Sequence, residues 1–257
     1  MKITILGSGT GTPQLARNSS GLYIQSSEVK AIVDMGAGTL RRMCESKIDY
    51  REIDLIALTH FHPDHVTDFI SFLFASNYAY GVKRTGLINV IGPDGLKQVY
   101  ERLVEIFGHW VVPSDNRLRM TEMSAVEFDI FEMEGIRIKS APSIHSFPSL
   151  CYRIEADNVS LSISGDTDFS ENLVNLARDS HTLICECSMP DSMKIPGHMT
   201  PSEVGVLATQ ASVKQLILTH FYPPCDEVDV LSAARAKFTG PILKAEDLMT
   251  IELDANF

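Results

Sequence analysis

At 257 residues and 44% hydrophobic, the chain is long enough to bury a substantial core, as one large α/β domain or two small ones. Its 33 acidic and 22 basic residues give a formal net charge of −11, a surface that repels phosphate backbones unless Lys and Arg gather on one face. The pairs Arg41-Arg42, Lys83-Arg84 and Arg117/Arg119 are short and scattered, so they read as solvated surface and leave no dedicated nucleic-acid patch.

The N-terminus, MKITILGSGTG, has one Lys and a short apolar run that stops at glycine, which predicts a first β-strand and not a signal peptide. GSGTGTP at 7–13 mimics a dinucleotide loop. Thr12 breaks GxGxxG, however, and Pro13 with polar residues follows where a helix is required, which argues against a nucleotide cofactor. Strands are expected at Leu22–Gln25 and Ala31–Asp34, a helix over Gly38–Ser46, a strand at Leu55–Leu58 and an apolar helix from His65 to Ala75. The longest uncharged run, Phe69–Val82, is too short to span a bilayer. After a strand at Leu87–Ile91, Pro93 and Asp94 open a helix through Phe107, with Leu96, Val99, Tyr100, Leu103, Val104 and Phe107 at helical spacing. Residues 108–124 hold the only tryptophan and read as a long irregular loop with the character of a lid.

The second half resumes the pattern. Strands are expected near 126–131, 136–141, 150–155, 159–164, 182–187 and 215–219, helices near 170–178, 201–211 and 228–238, and two short closing strands. Five cysteines with no CxxC suit a reduced, cytoplasmic protein. Cys185 and Cys187 lie two apart in an apparent strand and read as core. Strand clusters capped by helices occur twice, with no linker between them. The expected fold is therefore a four-layer αββα sandwich in one domain, 1–257, with two mixed sheets face to face and helices outside.

Chemistry concentrates in THFHPDHVTD, residues 59–68, directly after the apolar run Leu55–Leu58. Alternation puts His60 and His62 on one side of the turn, Pro63 ends the strand, and Asp64 and His65 start the next helix, so all four can face one pocket. Imidazoles and carboxylates in this pattern suit zinc or similar ions at roughly 2.0–2.2 Å, and four ligands from one turn can serve two ions. A helix cap accounts for Asp64 alone, not for all four. One turn cannot complete two metal shells, but later strand ends supply partners: Ile136–Ala141 leads to His145, Val159–Ser164 to Asp166, and Leu216–Thr219 to His220 in a second Thr-His-Phe tripeptide. His198, in Pro196-Gly197-His198-Met199-Thr200, is a candidate general acid for a leaving alkoxide, with Glu186 at the end of the preceding strand holding its ring protonated. His109 and His181 read as loop residues, His109 with a weak claim to a substrate contact.

These residues resemble the metallo-β-lactamase superfamily, and within it the ribonuclease Z-like branch. The likeness extends to Gly7-Ser8-Gly9, Arg17-Asn18-Ser19, Asp34 before Gly36, Gly92-Pro93 and Ser164-Gly165-Asp166-Thr167. The resemblance implies that His60, His62 and His145 hold one metal, that Asp64, His65 and His220 hold the other, and that Asp166 bridges them. Asp64 would also handle the proton of the attacking water, and His198 with Glu186 would protonate the leaving oxygen. The cofactors expected are two divalent ions, zinc first and Mn²⁺ or Fe²⁺ as alternatives, set to clamp an in-line displacement. Ribonuclease Z usually carries a tRNA-grasping arm between the equivalents of His145 and Asp166, where this chain has room only for two strands and a turn. The expected activity is therefore a phosphodiesterase on a small or modest-sized substrate. Ribonuclease Z activity on RNA is the first alternative, and lactone or thioester hydrolysis on the same metals the second. A metal-stabilised binding protein is the non-enzyme alternative. A homodimer follows from the resemblance only, and no membrane partner is expected.

Overall fold

The central strands carry short runs such as Leu55–Leu58 and Leu216–Leu218 in which every residue is apolar, and the reason is that both faces of each sheet are covered there. In a strand successive side chains point to opposite faces. Leu55 and Ala57 join one buried cluster while Ile56 and Leu58 join another; Ile184 and Ile217 face the first cluster while Leu183, Cys185, Leu216 and Leu218 face a third. Three apolar layers result, one between the sheets and one beneath the helices on either side, which confirms the αββα arrangement.

The structure, a computed structural model, describes residues 1–78, 80 and 86–254. Strands β1 (Lys2–Gly7), β2 (Gly21–Gln25) and β3 (Lys30–Val33) form an antiparallel meander. Helix α1 (Thr39–Glu45), β4 (Leu55–Ala57), α2 (Pro63–Tyr78), β5 (Ile88–Pro93), α3 (Leu96–Phe107) and β6 (Leu118–Met123) follow, and β3 to β6 are parallel neighbours. The second sheet repeats the plan. An antiparallel stretch of β7 (Asp129–Met133), β8 (Ile136–Pro142), β9 (Leu150–Ala156) and β10 (Val159–Ile163) leads into parallel strands β11 (Thr182–Glu186), β12 (Gln215–Thr219) and β13 (Ile242–Lys244). Helices α4 (Glu171–Leu176), α5 (Pro201–Gln210) and α6 (Val230–Arg235) cover its outer face, and the last strand, β14 (Thr250–Glu252), returns to pair with β1. Among the described residues each sheet has seven strands. The carboxyl ends of the parallel strands in both sheets point to one edge, where ligands collect in α/β folds.

Two expectations are corrected. Pro93 and Asp94 do not open α3: Pro93 sits opposite Met123 in the β5–β6 pair, Asp94 accepts a hydrogen bond from Ala125 N (3.0 Å), and α3 begins at Leu96 behind Gly95. Pairing with β6 outweighed the preference of proline for a helix start, and β6 was itself missed. Residues 108–124 are not a loop. They form two 3₁₀ turns, Gly108–Val111 and Ser114–Asn116, and then β6. This is an edge strand with one neighbour and little buried surface, so its sequence, LRMTEM, lacks the apolar signature of its neighbours. Trp110 packs on Phe74 and Tyr78. The Lys83-Arg84 pair and the end of the Phe69–Val82 run lie outside the described residues. No described helix is long and apolar enough to cross a membrane. The five cysteines are free, with Cys185 and Cys187 buried.

Candidate metal centre

The centre grows from the end of β4. Leu58 N still donates to Ile91 O of β5 (2.9 Å), but from its carbonyl onward the chain is stitched to the other sheet: Tyr152 Oη donates to Leu58 O (2.7 Å), and Leu150 N donates to Thr59 O (2.9 Å). His60 is thereby buried between the sheets. The turn through His62 and Pro63 starts α2, and its first turn carries Asp64 and His65. That turn is clamped to the end of β3 by Met35 N to His65 O (2.6 Å) and Asp68 N to Met35 O (2.8 Å). A Cβ on Gly36 would lie 2.1 Å from Asp64 O, so only glycine permits this approach.

The structure brings together all seven residues expected as ligands. One ligand-type atom from each of His60, His62, His145 and Asp166 falls within 4.8 Å of the others, and the same holds for Asp64, His65 and His220. Asp166 stands between the groups. Its Oδ2 is 3.8 Å from His60 Nε2 and 3.7 Å from His145 Nε2, whereas its Oδ1 is 3.3 Å from the Nε2 atoms of both His65 and His220. Asp64 Oδ2 lies 3.9 Å from His65 Nε2 and 3.7 Å from His220 Nε2.

Groups behind the imidazoles fix which nitrogen faces inward. His65 Nδ1 donates to Asp34 Oδ2 (2.7 Å) and His145 Nδ1 to Gly197 O (3.0 Å). His60 Nδ1 donates to Thr59 Oγ1 (3.0 Å), whose own hydroxyl is given to Asp34 (2.9 Å). His220 Nδ1 donates to Ser188 Oγ (3.0 Å), whose hydroxyl is given to Glu186 Oε2 (2.6 Å). With Nδ1–H so engaged, each Nε2 presents a lone pair to the centre. The inward nitrogens crowd: His65 Nε2 and His220 Nε2 are 3.4 Å apart, and His145 Nε2 and His62 Nδ1 are 3.2 Å apart. His60 Nε2 and Asp166 Oδ1 are buried without a hydrogen-bond partner. Facing lone pairs and orphaned buried acceptors are costly unless a cation lies between them, so the donor set fits divalent metal ions.

The titration behaviour agrees. Burial, with the charge of His65, pushes the His60 imidazole down to about 2, which keeps it neutral as a ligand must be. Burial also lowers His145. Burial opposes ionisation of Asp64 and Asp166, but neighbouring His220 and His65 outweigh it and hold both carboxyls below their usual range. His65 runs the other way: burial would lower it, but Asp166 and Asp34 hold its imidazole well above its usual value, so a metal ion bound there has to displace its proton.

His198 lies beside this centre, one of its atoms within 4.8 Å of donors on Asp166 and His220. Its Nδ1 donates to Glu186 Oε1 at 2.9 Å. Glu186 is buried and also accepts from Thr167 N (2.8 Å), Met199 N (3.2 Å) and Ser188 Oγ, so its position is fixed. A capping box between Thr200 and Glu203 starts α5 two residues beyond His198. Burial alone would lower the His198 imidazole, but the Glu186 hydrogen bond and charge raise it above its ordinary value.

His109 and His181 are not part of this geometry. His109 stacks on Trp110, and His181 accepts from Ser160 N (3.1 Å). Sequence reasoning gave no role to Asp34, Thr59 or Ser188. Asp34, at the end of β3, carries the only one of these signals that a sequence displays. A hydroxyl such as Thr59 or Ser188 looks like any other until the fold brings an imidazole to it.

A family model described as a β-lactamase superfamily domain matches residues 29–221. The protein called ribonuclease Z of Mycobacterium bovis (strain BCG / Pasteur 1173P2) is 26% identical over 275 residues, 98% of each chain. Among solved structures, the metallo-β-lactamase fold protein YhfI from Bacillus subtilis superposes with a TM-score of 0.83 at 21% identity, over 98% of this chain and 99% of its own. The short form of human tRNase Z (ELAC1) does so with a TM-score of 0.80 at 22% identity, over 99% of this chain and 100% of its own.

Proposed function

Because the chain belongs to the β-lactamase superfamily and is a metal-dependent hydrolase of the metallo-β-lactamase fold, we propose that it hydrolyses phosphodiester bonds at a dinuclear centre. In this reading His60, His62 and His145 hold one ion, Asp64, His65 and His220 the other, and Asp166 reaches both. Because both sheets supply ligands, residues 1–257 act as one catalytic domain. The imidazole-rich donor set suits Zn²⁺, with Mn²⁺ and Fe²⁺ as alternatives. The ions supply Lewis acidity and stabilise the charge that builds on the phosphoryl oxygens.

The observation that carries the reading is the Glu186–His198 pair at 2.9 Å beside the Asp166/His220 side of the centre. Ester hydrolysis takes up one water and breaks one P–O bond, leaving a phosphomonoester and an alcohol, and an unprotonated alkoxide is a poor leaving group. His198, held protonated by Glu186, delivers that proton. Asp64, held ionised, accepts a proton from the attacking water. Ser188 ties His198, His220 and Glu186 into one network, so acid and ligands keep their spacing.

The substrate favoured is a small or modest-sized diester. Between His145 and Asp166 the chain has only the β9–β10 hairpin, and the net charge of −11 does not attract a polyanion. A second reading, ribonuclease Z activity, is supported by likeness along the whole chain to relatives of that name. Hydrolysis of bis(p-nitrophenyl) phosphate and of a diester with an alkyl leaving group by the Zn²⁺- or Mn²⁺-loaded protein, the alkyl diester being the one that needs the acid, run beside His198→Ala and a precursor tRNA, separates the two. Diester turnover lost in the variant with the tRNA intact supports the first; specific tRNA cleavage supports the second. Two bound metals without turnover of either would sink both.

A further inference from the structure

Three segments border the centre, and each carries large apolar side chains in water. Leu15, fully exposed, belongs to the loop after β1. In that loop Gly11 approaches the Asp64 carboxylate, a Cβ on it lying 3.5 Å away, and Gln14 Nε2 donates to Phe221 O (3.4 Å), next to His220. Ile144 and Phe147, 53% and 74% exposed, flank His145 in the β8–β9 loop. Met193, 48% exposed, lies on the segment leading to His198, and that segment meets His145 through Gly197 O.

These side chains are not exposed because their loops fray. Ile144 N donates to Thr167 Oγ1 (2.9 Å), and Ile144 O accepts from Asp168 N (2.8 Å). Ser143 and Ser149 close the β8–β9 loop with a 2.7 Å hydroxyl bond and a 3.1 Å backbone bond. Lys194 Nζ ties the Met193 segment to Asp168 and Glu203, both at 2.7 Å. Single exposed apolar residues are ordinary; several on braced loops around one polar centre mark a ligand-facing rim.

The charges on the same segments narrow the ligand. Arg17 is buried and held by Asp226 at 2.8 Å, and the Lys194 ammonium is neutralised by two carboxylates. Among the described residues of segments 8–20, 143–149, 189–197 and 220–226, these are the only Lys or Arg. Further phosphates of a long polyanion would therefore meet no unpaired cation there. An uncharged group would meet Phe147 and the aliphatic side chains, and a flat one could stack on the Phe147 ring.

Resting on the phosphodiesterase reading, we infer that Leu15, Ile144, Phe147 and Met193 bind a flat, uncharged aromatic group of the substrate, an aryl ring or a nucleobase, next to the scissile bond. The metals and His198 handle the phosphoryl group; the rim selects what it is esterified to.

The test uses the metal-loaded protein and three diesters sharing one leaving group: methyl, phenyl and thymidine 5′ p-nitrophenyl phosphates. KM for the aromatic members is expected to be about tenfold below that of the methyl diester, with kcat within about threefold. Phenyl preferred over thymidine marks an aryl source, and the reverse marks a nucleobase. Phe147→Ser and Leu15→Ser alter exposed side chains and leave the fold intact; each is expected to shrink the preference, Phe147→Ser to about twofold. Calorimetric titration with diphenyl and dimethyl phosphate reads the rim independently of turnover. Equal affinity for these two ligands, or a preference surviving both substitutions, would overturn the rim. A preference in binding with no diester turnover would leave the rim standing and overturn the phosphodiesterase reading instead.

Discussion

The two Thr-His-Phe tripeptides end parallel strands, β4 in one sheet and β12 in the other, yet they hold their histidines by different means. At the first, His60 is oriented by its own neighbour: Thr59 Oγ1 accepts from His60 Nδ1 and passes its hydroxyl to Asp34. At the second, His220 adopts a left-handed backbone (φ 59°), and its Nδ1 reaches Ser188 on the next strand's loop. Phe221 beneath it is buried under the Arg17 guanidinium, 4.7 Å from the ring, and Lys244, 5.2 Å away. Identical tripeptides thus give a locally built support on one side and one assembled from distant segments on the other. The lesson is that the half of the centre with the plainer sequence signature is the more self-contained. Left-handed non-glycine backbone occurs on both sides, at His220 and at Asp34 (φ 60°), as functional positions often show, and the half containing His220 depends further on long-range contacts.

Asp166 has one carboxylate oxygen facing His60 and His145 and the other facing His65 and His220, so in the proposed reading it is where the comparison breaks most completely. Asp166→Ala should drop the metal content measured by elemental analysis from two ions per chain to below one, and kcat by at least about a thousandfold. Retention of two ions would mean that the carboxylate is not shared. Next in size is His198→Ala, expected to lower kcat by about two to three orders of magnitude while both ions remain. Loss of metal in that variant would make His198 a ligand and not the acid.

A matched pair of substitutions then tests the asymmetry itself. Thr59→Val removes the hydroxyl behind His60, and Ser188→Ala the one behind His220. Each is expected to weaken chiefly the ion on its own side, by about ten- to a hundredfold, seen as one step of a two-step chelator competition moving further than the other. Thr59→Val should also shift the second step by a smaller amount, because Asp34 behind Thr59 also holds His65. If both variants moved the same step further, the two supports would not be independent.

Much of this was legible in the sequence, and the exceptions have a common cause. The apolar runs at Leu55–Leu58 and Leu216–Thr219 announce buried parallel strands, Val159–Ser164 alternates apolar residues with serine, and a polar residue just past each one announces a candidate ligand at a sheet edge. All seven donors converge as that pattern implies. β6 escaped because an edge strand with one neighbour has no reason to be apolar. The start of α3 escaped because Pro93 was claimed by pairing with that same unseen strand. Ser188 and Arg17 escaped because their partners lie far away in the chain: Arg17 reaches Asp226, and Ser188 reaches His220, only after the sheets have closed. Periodicity reports which face a residue takes. It does not report what waits there.

The smallest expected effect concerns the proton on His198. Glu186 raises this imidazole above its ordinary value against the opposing effect of burial. A general acid works only while protonated, so the rate should decline as pH rises through that raised value. Glu186→Gln keeps the size of the side chain but removes the negative charge. Burial then goes less opposed, the imidazole loses its proton at lower pH, and the alkaline limb of kcat should move toward acid by about one unit. The rate on the acid side of the limb should fall by less than His198→Ala costs. A limb that stays in place in Glu186→Gln but vanishes in His198→Ala would leave His198 as the acid and show that a group other than Glu186 sets its proton affinity. A limb that survives both belongs to a different residue, and the asymmetry between the two tripeptides would then have to be sought in metal binding alone.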